Sequence, residues 1–322
     1  MASENSEFKL YRYDPSIAAA VVFIILFLAA AGIHTFQVAR TRAWFVIPFV
    51  IGGHFSPLIH VNPVEWIGYI GRAVSGDEAP DFTVKPYILQ TLLLLVAPTL
   101  FAATIYMELG RIVLLTNGEA YCLIRRTWLT KTFLLGDIIS FIMQGAGGGI
   151  MASGTPNALT TGENIIIGGL VAQLIFFSLF VITSIKFHRG VSNTPSRRVL
   201  HSQAPWKRHM YALYGGSALI FVRSLFRLIE YAQGNDGYLV SHEVYLYIFD
   251  ALLMVLVMAL FAWVHPSEVH ALLTPGGRGR AAERVFWLKM KGSLITTPES
   301  GLAWWEVGGL VAVYRYYEGR NQ

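Results

Sequence analysis

The sequence predicts an all-α, polytopic membrane protein: seven transmembrane helices, N-terminus outside, C-terminus cytoplasmic. Three observations carry that expectation. The 322 residues are 54% hydrophobic and only 14% charged, too apolar for an ordinary soluble domain. The apolar residues fall into successive runs of about 20 or more, the length that crosses a hydrocarbon core of about 30 Å. The basic residues gather in alternate connections between those runs.

Taken in order, residues 1–15 form an N-terminal tail holding Glu4, Glu7, Asp14, Lys9 and Arg12. It lacks the basic start of a secretory signal, and the apolar run at 16–38 is too long for a signal core, so that run is read as an uncleaved first span. The second span, 43–74, contains Pro48, Pro57 and Pro63 and is expected to be kinked or partly re-entrant. The third, 84–109, carries Pro98 and a kink is expected there. Spans four to seven are placed at 132–152, 163–185, 209–232 and 242–265, closing a transmembrane domain at 16–265 ahead of a basic cytoplasmic tail at 266–322.

Orientation follows from the connections. The odd-numbered ones and the C-terminal tail hold nineteen of the 25 Lys and Arg residues, among them Arg125, Arg126, Arg197 and Arg198. The even-numbered connections are acidic or neutral, with Asp77, Glu78 and Asp81 in one and Asp236 in another. The basic side is the cytoplasmic side. A net charge of +5 therefore does not point to nucleic acid, which would need a basic face on a soluble domain. The single cysteine, Cys122, excludes an internal disulfide and reads as an ordinary loop thiol.

The chemistry concentrates in the sixth span. Arg223, Arg227 and Glu230 share one helical face, and each arginine near the bilayer centre costs roughly 2.5 to 3.5 kcal/mol unless it finds partners or water. That face is expected to look into the bundle. Counting about 1.5 Å per residue inward from the outer ends, Glu65, Gln144, Gln173, Arg223 and Asp250 all fall roughly 12 to 15 Å deep, one polar group from each of five helices. A second layer nearer the outer face holds Arg72, Glu230 and Glu243, with Arg227 a turn beneath. Glu65 and Arg72, Asp137 and Gln144, Arg223 and Glu230, Glu243 and Asp250 are each seven apart, so both members project from one face. Arg223 is expected to pair with Asp250 or Glu65, and Arg227 with Glu230. These ten residues form either a polar cavity for a charged headgroup or an ion-pair network that fixes helix packing.

Other features are weaker. The glycine run Gly145, Gly147, Gly148 and Gly149 is read as a hinge or as a close helix contact; without a preceding strand or a following Lys-Ser/Thr it is no phosphate cradle. His54 with His60 and His265 with His270 lack the i, i+4 spacing that aims two imidazoles at one metal. No metal or other cofactor is expected.

An ordered set of motifs resembles the fungal lipid-translocating exporter family, the proteins related to the aminocholesterol-resistance protein. It comprises Tyr13-Asp14-Pro15-Ser16, Glu65-x-x-Gly68-Tyr69-x-x-Arg72, Gln90 with Ala97-Pro98 and Tyr106, Asp137-x-x-Ser140-x-x-x-Gln144, Arg223-x-x-Phe226-Arg227-x-x-Glu230-Tyr231, and Glu243-x-x-x-Tyr247-x-x-Asp250. The resemblance covers residues 13–272 and implies movement or release of sphingoid long-chain bases and other amphiphiles, porphyrin uptake in some members, resistance to membrane-active compounds, and a plasma-membrane location. It implies partners that are membrane lipids and amphiphilic small molecules, and no covalent catalysis. The rival reading is a seven-span receptor or sensor working through a partner, although the acidic-Arg-Tyr and Asn-Pro-x-x-Tyr signatures are missing. A hydrolase and a scaffold are the remaining alternatives. The tail departs from the family after Leu273, with a basic stretch around Phe286, Trp287 and Leu288 suited to an anionic leaflet.

Overall fold

The computed structural model describes residues 11–273 apart from 12, 42–45, 47–63, 80, 152, 154, 197–198, 200–204 and 235–236. The described chain is helical throughout. Its helices are α1 (Ile17–Thr41), α2 (Val64–Asp77), α3 (Val84–Thr116), α4 (Arg126–Met151), α5 (Pro156–Asn193) and α6 (Trp206–Ala232). A continuous three-part α7 follows (Glu243–Leu246, Tyr247–Leu252 and Leu253–Trp263), then a short α8 (Ser267–Leu273).

Six helical stretches are long and apolar enough to cross a membrane: α1, α3, α4, α5, α6 and the α7–α8 unit. The expected second span is represented by α2 alone; Pro48, Pro57 and Pro63 lie outside the described residues, as do His54, His60, Asp236 and the tail from residue 274. Several helices, α1, α3, α5 and α6 among them, run past the ends expected for them. α5 has 38 residues, about 57 Å at 1.5 Å each, so its ends extend beyond the hydrocarbon: hydropathy fades at the headgroups, whereas backbone hydrogen bonding continues into water.

Polarity is inverted relative to a soluble protein. Ile25, Phe36, Leu135, Ile142, Ile175 and Ile182 are exposed, while Glu65, Arg72, Glu108, Asp137, Arg223 and Asp250 are buried. Lipid is the solvent that makes this arrangement favourable, because the ionisable groups have nowhere to go but inward. Two aromatic clusters fill much of the interior: Phe23, Phe27, Tyr69 and Tyr247 stack between α1, α2 and α7, and Tyr106, Phe133, Phe177 and Phe180 pack between α3, α4 and α5.

Local sequence sets several of the contacts. α5 begins with Thr155 as N-cap, its hydroxyl accepting from the Ala158 amide, and with Pro156 in the first turn, where a missing N–H costs nothing. α3 ends on Asn117 in the left-handed region (φ 51°), with the Gly118 amide returning to the Val113 carbonyl, a stop signal of the Schellman type. In the glycine run the roles divide. A Cβ on Gly147 would sit 2.6 Å from the Gly162 carbonyl, so this residue is a close α4–α5 contact, while Gly148 and Gly149 have open space beside them. Cys122, in the α3–α4 connection, is half-buried, and that burial, helped by Glu119, pushes its thiol up to about 11.

Candidate functional site

One end of the bundle brings together the start of α1, the ends of α2 and α6 and the starts of α3 and α7. Here Arg72, 1% exposed, donates from Nη2 to Glu243 at 2.8 Å and to the Tyr13 hydroxyl at 2.7 Å, and from Nε to the Tyr247 hydroxyl at 3.1 Å. The rings of Tyr11, Tyr13 and Tyr247 stand 5.3–6.0 Å from its guanidinium, within cation–π range. Glu243 also accepts from the Ser16 amide at 2.9 Å, which ties the start of α1 to α7. The N-terminal segment therefore enters the bundle: Tyr11 is buried and donates to Gln90 at 2.9 Å. Burial raises the phenols of Tyr11 and Tyr13 above their usual range, with Arg72 acting in the opposite direction.

Deeper in, Arg223 forms a buried ion pair through Nε with Asp250 and donates from Nη2 to the Leu94 carbonyl at 2.8 Å. That carbonyl is available for a definite reason. Residue 98, four positions on, is Pro98 and has no N–H to offer it. The proline inside α3 thus supplies the acceptor that a membrane arginine needs. Asp250 lies in the π-helical segment Tyr247–Leu252, a wider turn that recurs at functional sites; Tyr247, Asp250 and Ala251 are its buried residues. One turn beyond Arg223, Arg227 donates to Glu230 at 2.8 Å and lies 5.2 Å over the Tyr231 ring.

These groups surround a cavity of about 270 Å³ between α2 to α7. Arg72, Arg227, Glu230, Asp250 and Gln144 line it, together with Tyr11, Tyr13, Tyr87, Gln90, Glu163 and Tyr231. Gln173 is bonded to Gln144 at 3.2 Å, and Arg223 is bonded to Asp250. Glu65 does not line the cavity: it is 2% exposed behind that lining, its Oε1 has no hydrogen-bond partner, and it lies within electrostatic reach of Asp250 and Arg223. Asp137 stands apart, accepting from Tyr106 at 2.8 Å in the second aromatic cluster. It shares the buried face of α4 with Gln144 but does not line the cavity.

A second buried polar cluster lies toward the other end. His209, fully buried, bridges Glu108 of α3 (Nδ1–Oε1, 3.0 Å) and Glu268 of α8 (Nε2–Oε2, 3.3 Å). Nearby His34 donates from Nε2 to the Met258 carbonyl at 2.9 Å. Sequence reasoning missed this cluster because its members sit near helix ends, where charged residues are ordinary. It also missed the tyrosines of the cavity, which resemble interfacial aromatics. Among the described residues no group of three or more His, Cys, Asp or Glu side chains is arranged to hold a metal.

The RTA1-like protein family matches residues 59–272. Protein RTM1 of Saccharomyces cerevisiae is 36% identical over 290 residues, covering 80% of this chain and 92% of the relative. Protoporphyrin uptake protein 1 of the same species is 36% identical over 293 residues, 81% of this chain and 93% of its own. The sphingoid long-chain base transporter RSB1 is 27% identical over 307 residues, covering 83% and 75%. No solved structure matches. With two thirds of its length inside one family model and two relatives matched over more than nine tenths of their own length, this multi-pass membrane chain belongs to the RTA1-like family.

Proposed function

We propose that the protein moves amphiphilic lipids with a cationic head, such as sphingoid long-chain bases, across the plasma membrane, and so contributes to resistance against membrane-active compounds. The observation that carries this reading is the cavity: tyrosine rings and the carboxylates of Glu230 and Asp250 line a space inside a bundle whose outer surface is apolar. An ammonium head is attracted by both ring faces and carboxylates, while its chain stays against apolar helices. The resemblance of family members named for sphingoid-base transport and protoporphyrin uptake supports amphiphiles as the substrate class.

In this reading seven spans cross the membrane at 16–265, the N-terminus is outside, the tail at 266–322 is cytoplasmic, and the cavity opens from the outer half. Glu65 and Asp250 receive the head, and Arg223 is the resting counter-ion that the arriving cation displaces. Arg72, Glu243, Arg227 and Glu230 shape the mouth; Gln144 and Gln173 supply neutral polar groups at the level of Asp250. Asp137 holds helix packing through Tyr106. No covalent bond is made or broken.

The test is transbilayer movement of a labelled long-chain base in liposomes containing the purified protein. Movement above protein-free liposomes, lost in Asp250→Asn, is the expected result. Absence of movement with folded protein removes the autonomous translocator and favours a lipid receptor or sensor acting through a partner.

A further inference from the structure

Setting aside Glu163, which lines the cavity from α5 and is only partly buried, the charged groups around the cavity do not balance. Arg72 is paired with Glu243, Arg227 with Glu230, and Arg223 with Asp250. Three cations and three carboxylates cancel. Glu65 remains, one carboxyl more than the guanidinium groups can neutralise, buried and with Oε1 unpartnered. An uncompensated charge in such a place costs several kcal/mol, so the group must hold either a cation or a proton.

The surroundings leave little choice between these. On α6 the facing charge is Arg223, already bonded to Asp250 and the Leu94 carbonyl. On α7 it is Asp250, of the same sign as Glu65. α2 itself adds Tyr69, whose hydroxyl is also without a partner, and Arg72, which is committed to Glu243. α1 presents the Phe23 and Phe27 rings to Tyr69, and α3 presents Leu94 against Gly68 and Gln90 against Gly71. Among the described residues no second cation reaches Glu65.

We infer that Glu65 is a proton-binding site, and that the protein exchanges a proton for a monocationic lipid head. The step balances: a neutral Glu65 carboxylic acid and an incoming ammonium become a carboxylate–ammonium pair plus one released proton. Release of the lipid on the other side returns a proton to Glu65. The cluster keeps the same charge in both states, which lowers the cost of operating it inside hydrocarbon. The exchange gives a chain without a nucleotide-binding motif a source of energy, the proton gradient. This inference rests on the translocator reading for its substrate, but the proton site itself does not.

Two measurements separate them. Infrared difference spectra of the purified full-length protein should show a protonated carboxylic acid that disappears when sphinganine is added and is missing in Glu65→Gln. No such band, or one that Glu65→Gln leaves in place, overturns the proton site. In liposomes with a one-unit pH gradient, an N-trimethylated long-chain base, which has no proton of its own to lose, should reach about a tenfold ratio across the bilayer. In Glu65→Gln the ratio should fall to one. Crossing that ignores the gradient in the native protein overturns exchange and leaves the translocator standing. If neither base crosses, translocation and exchange both fall, and the infrared band alone decides whether Glu65 holds a proton.

Discussion

The helix pair α3 and α6 carries two buried polar contacts of different character. At one level Arg223 meets the Leu94 carbonyl; fourteen residues along each antiparallel helix, about 21 Å away, His209 meets Glu108. The Arg223 level lies beside the cavity, contains an excess carboxyl, and draws on the π-helical turn and the proline of its neighbours. The His209 level is enclosed by packed side chains and uses one imidazole to join three helices. Burial and charge are common to both. Each level also holds a buried carboxylate oxygen without a hydrogen-bond partner, Oε1 of Glu65 and Oε2 of Glu108; what distinguishes a site from a strut here is the adjacent space.

The largest effect that can break this comparison is expected at Arg223. Arg223→Leu strands Asp250 beside Glu65, and removing one partner of a buried ion pair costs about 3–5 kcal/mol. Thermal unfolding of the purified protein in detergent should show that loss. The double variant with Asp250→Leu should recover much of it, since a paired charge removed whole is often neutral. Equal loss in single and double variants would mean that the two groups do not act as a pair. His209→Phe comes next, at about 2–3 kcal/mol, because Glu108 and Glu268 then lose the donor between them. Here the comparison predicts a split: stability falls, while transbilayer movement per folded molecule stays within about twofold. Movement abolished in a folded His209→Phe protein would make the lower cluster part of the pathway.

The two levels were not equally legible in the sequence. Arg223 stood out because an arginine in an apolar run has no solvent alternative, and depth counting reduced its partners to Asp250 or Glu65. The same reasoning placed Asp137 on the buried face of α4, but it could not tell that Tyr106 satisfies it away from the cavity. Glu108, His209 and Glu268 left no such mark: each lies within a turn or two of a helix end, and their convergence depends on how α8 folds back after Pro266, a tertiary fact with no period. Tyr11 and Tyr13 fall in the N-terminal tail ahead of the first apolar run, yet Gln90 and Arg72 hold them in the bundle. The π-helical turn at Asp250 has no sequence signature at all. One signal was present and unread: a proline four residues after a buried position frees that position's carbonyl for an outside donor.

That signal yields the smallest and most discriminating prediction. In an ordinary helix interior, replacing proline by alanine restores an N–H···O bond and removes a steric clash, a gain of up to about 3 kcal/mol. At Pro98 the restored amide would aim at the Leu94 carbonyl, which already accepts from Arg223 at 2.8 Å. Sharing that oxygen weakens the guanidinium's second anchor, so Pro98→Ala is expected to stabilise the protein by less than about 1 kcal/mol. In an Arg223→Leu background the competition vanishes and the full helical gain should return. Unfolding midpoints for the four proteins of this cycle supply the coupling directly. A Pro98→Ala gain of the same size in both backgrounds would show that the proline and the arginine are independent, and would reduce Pro98 to a missing hydrogen bond within α3; unequal gains would make the broken helical bond part of the Arg223 level itself.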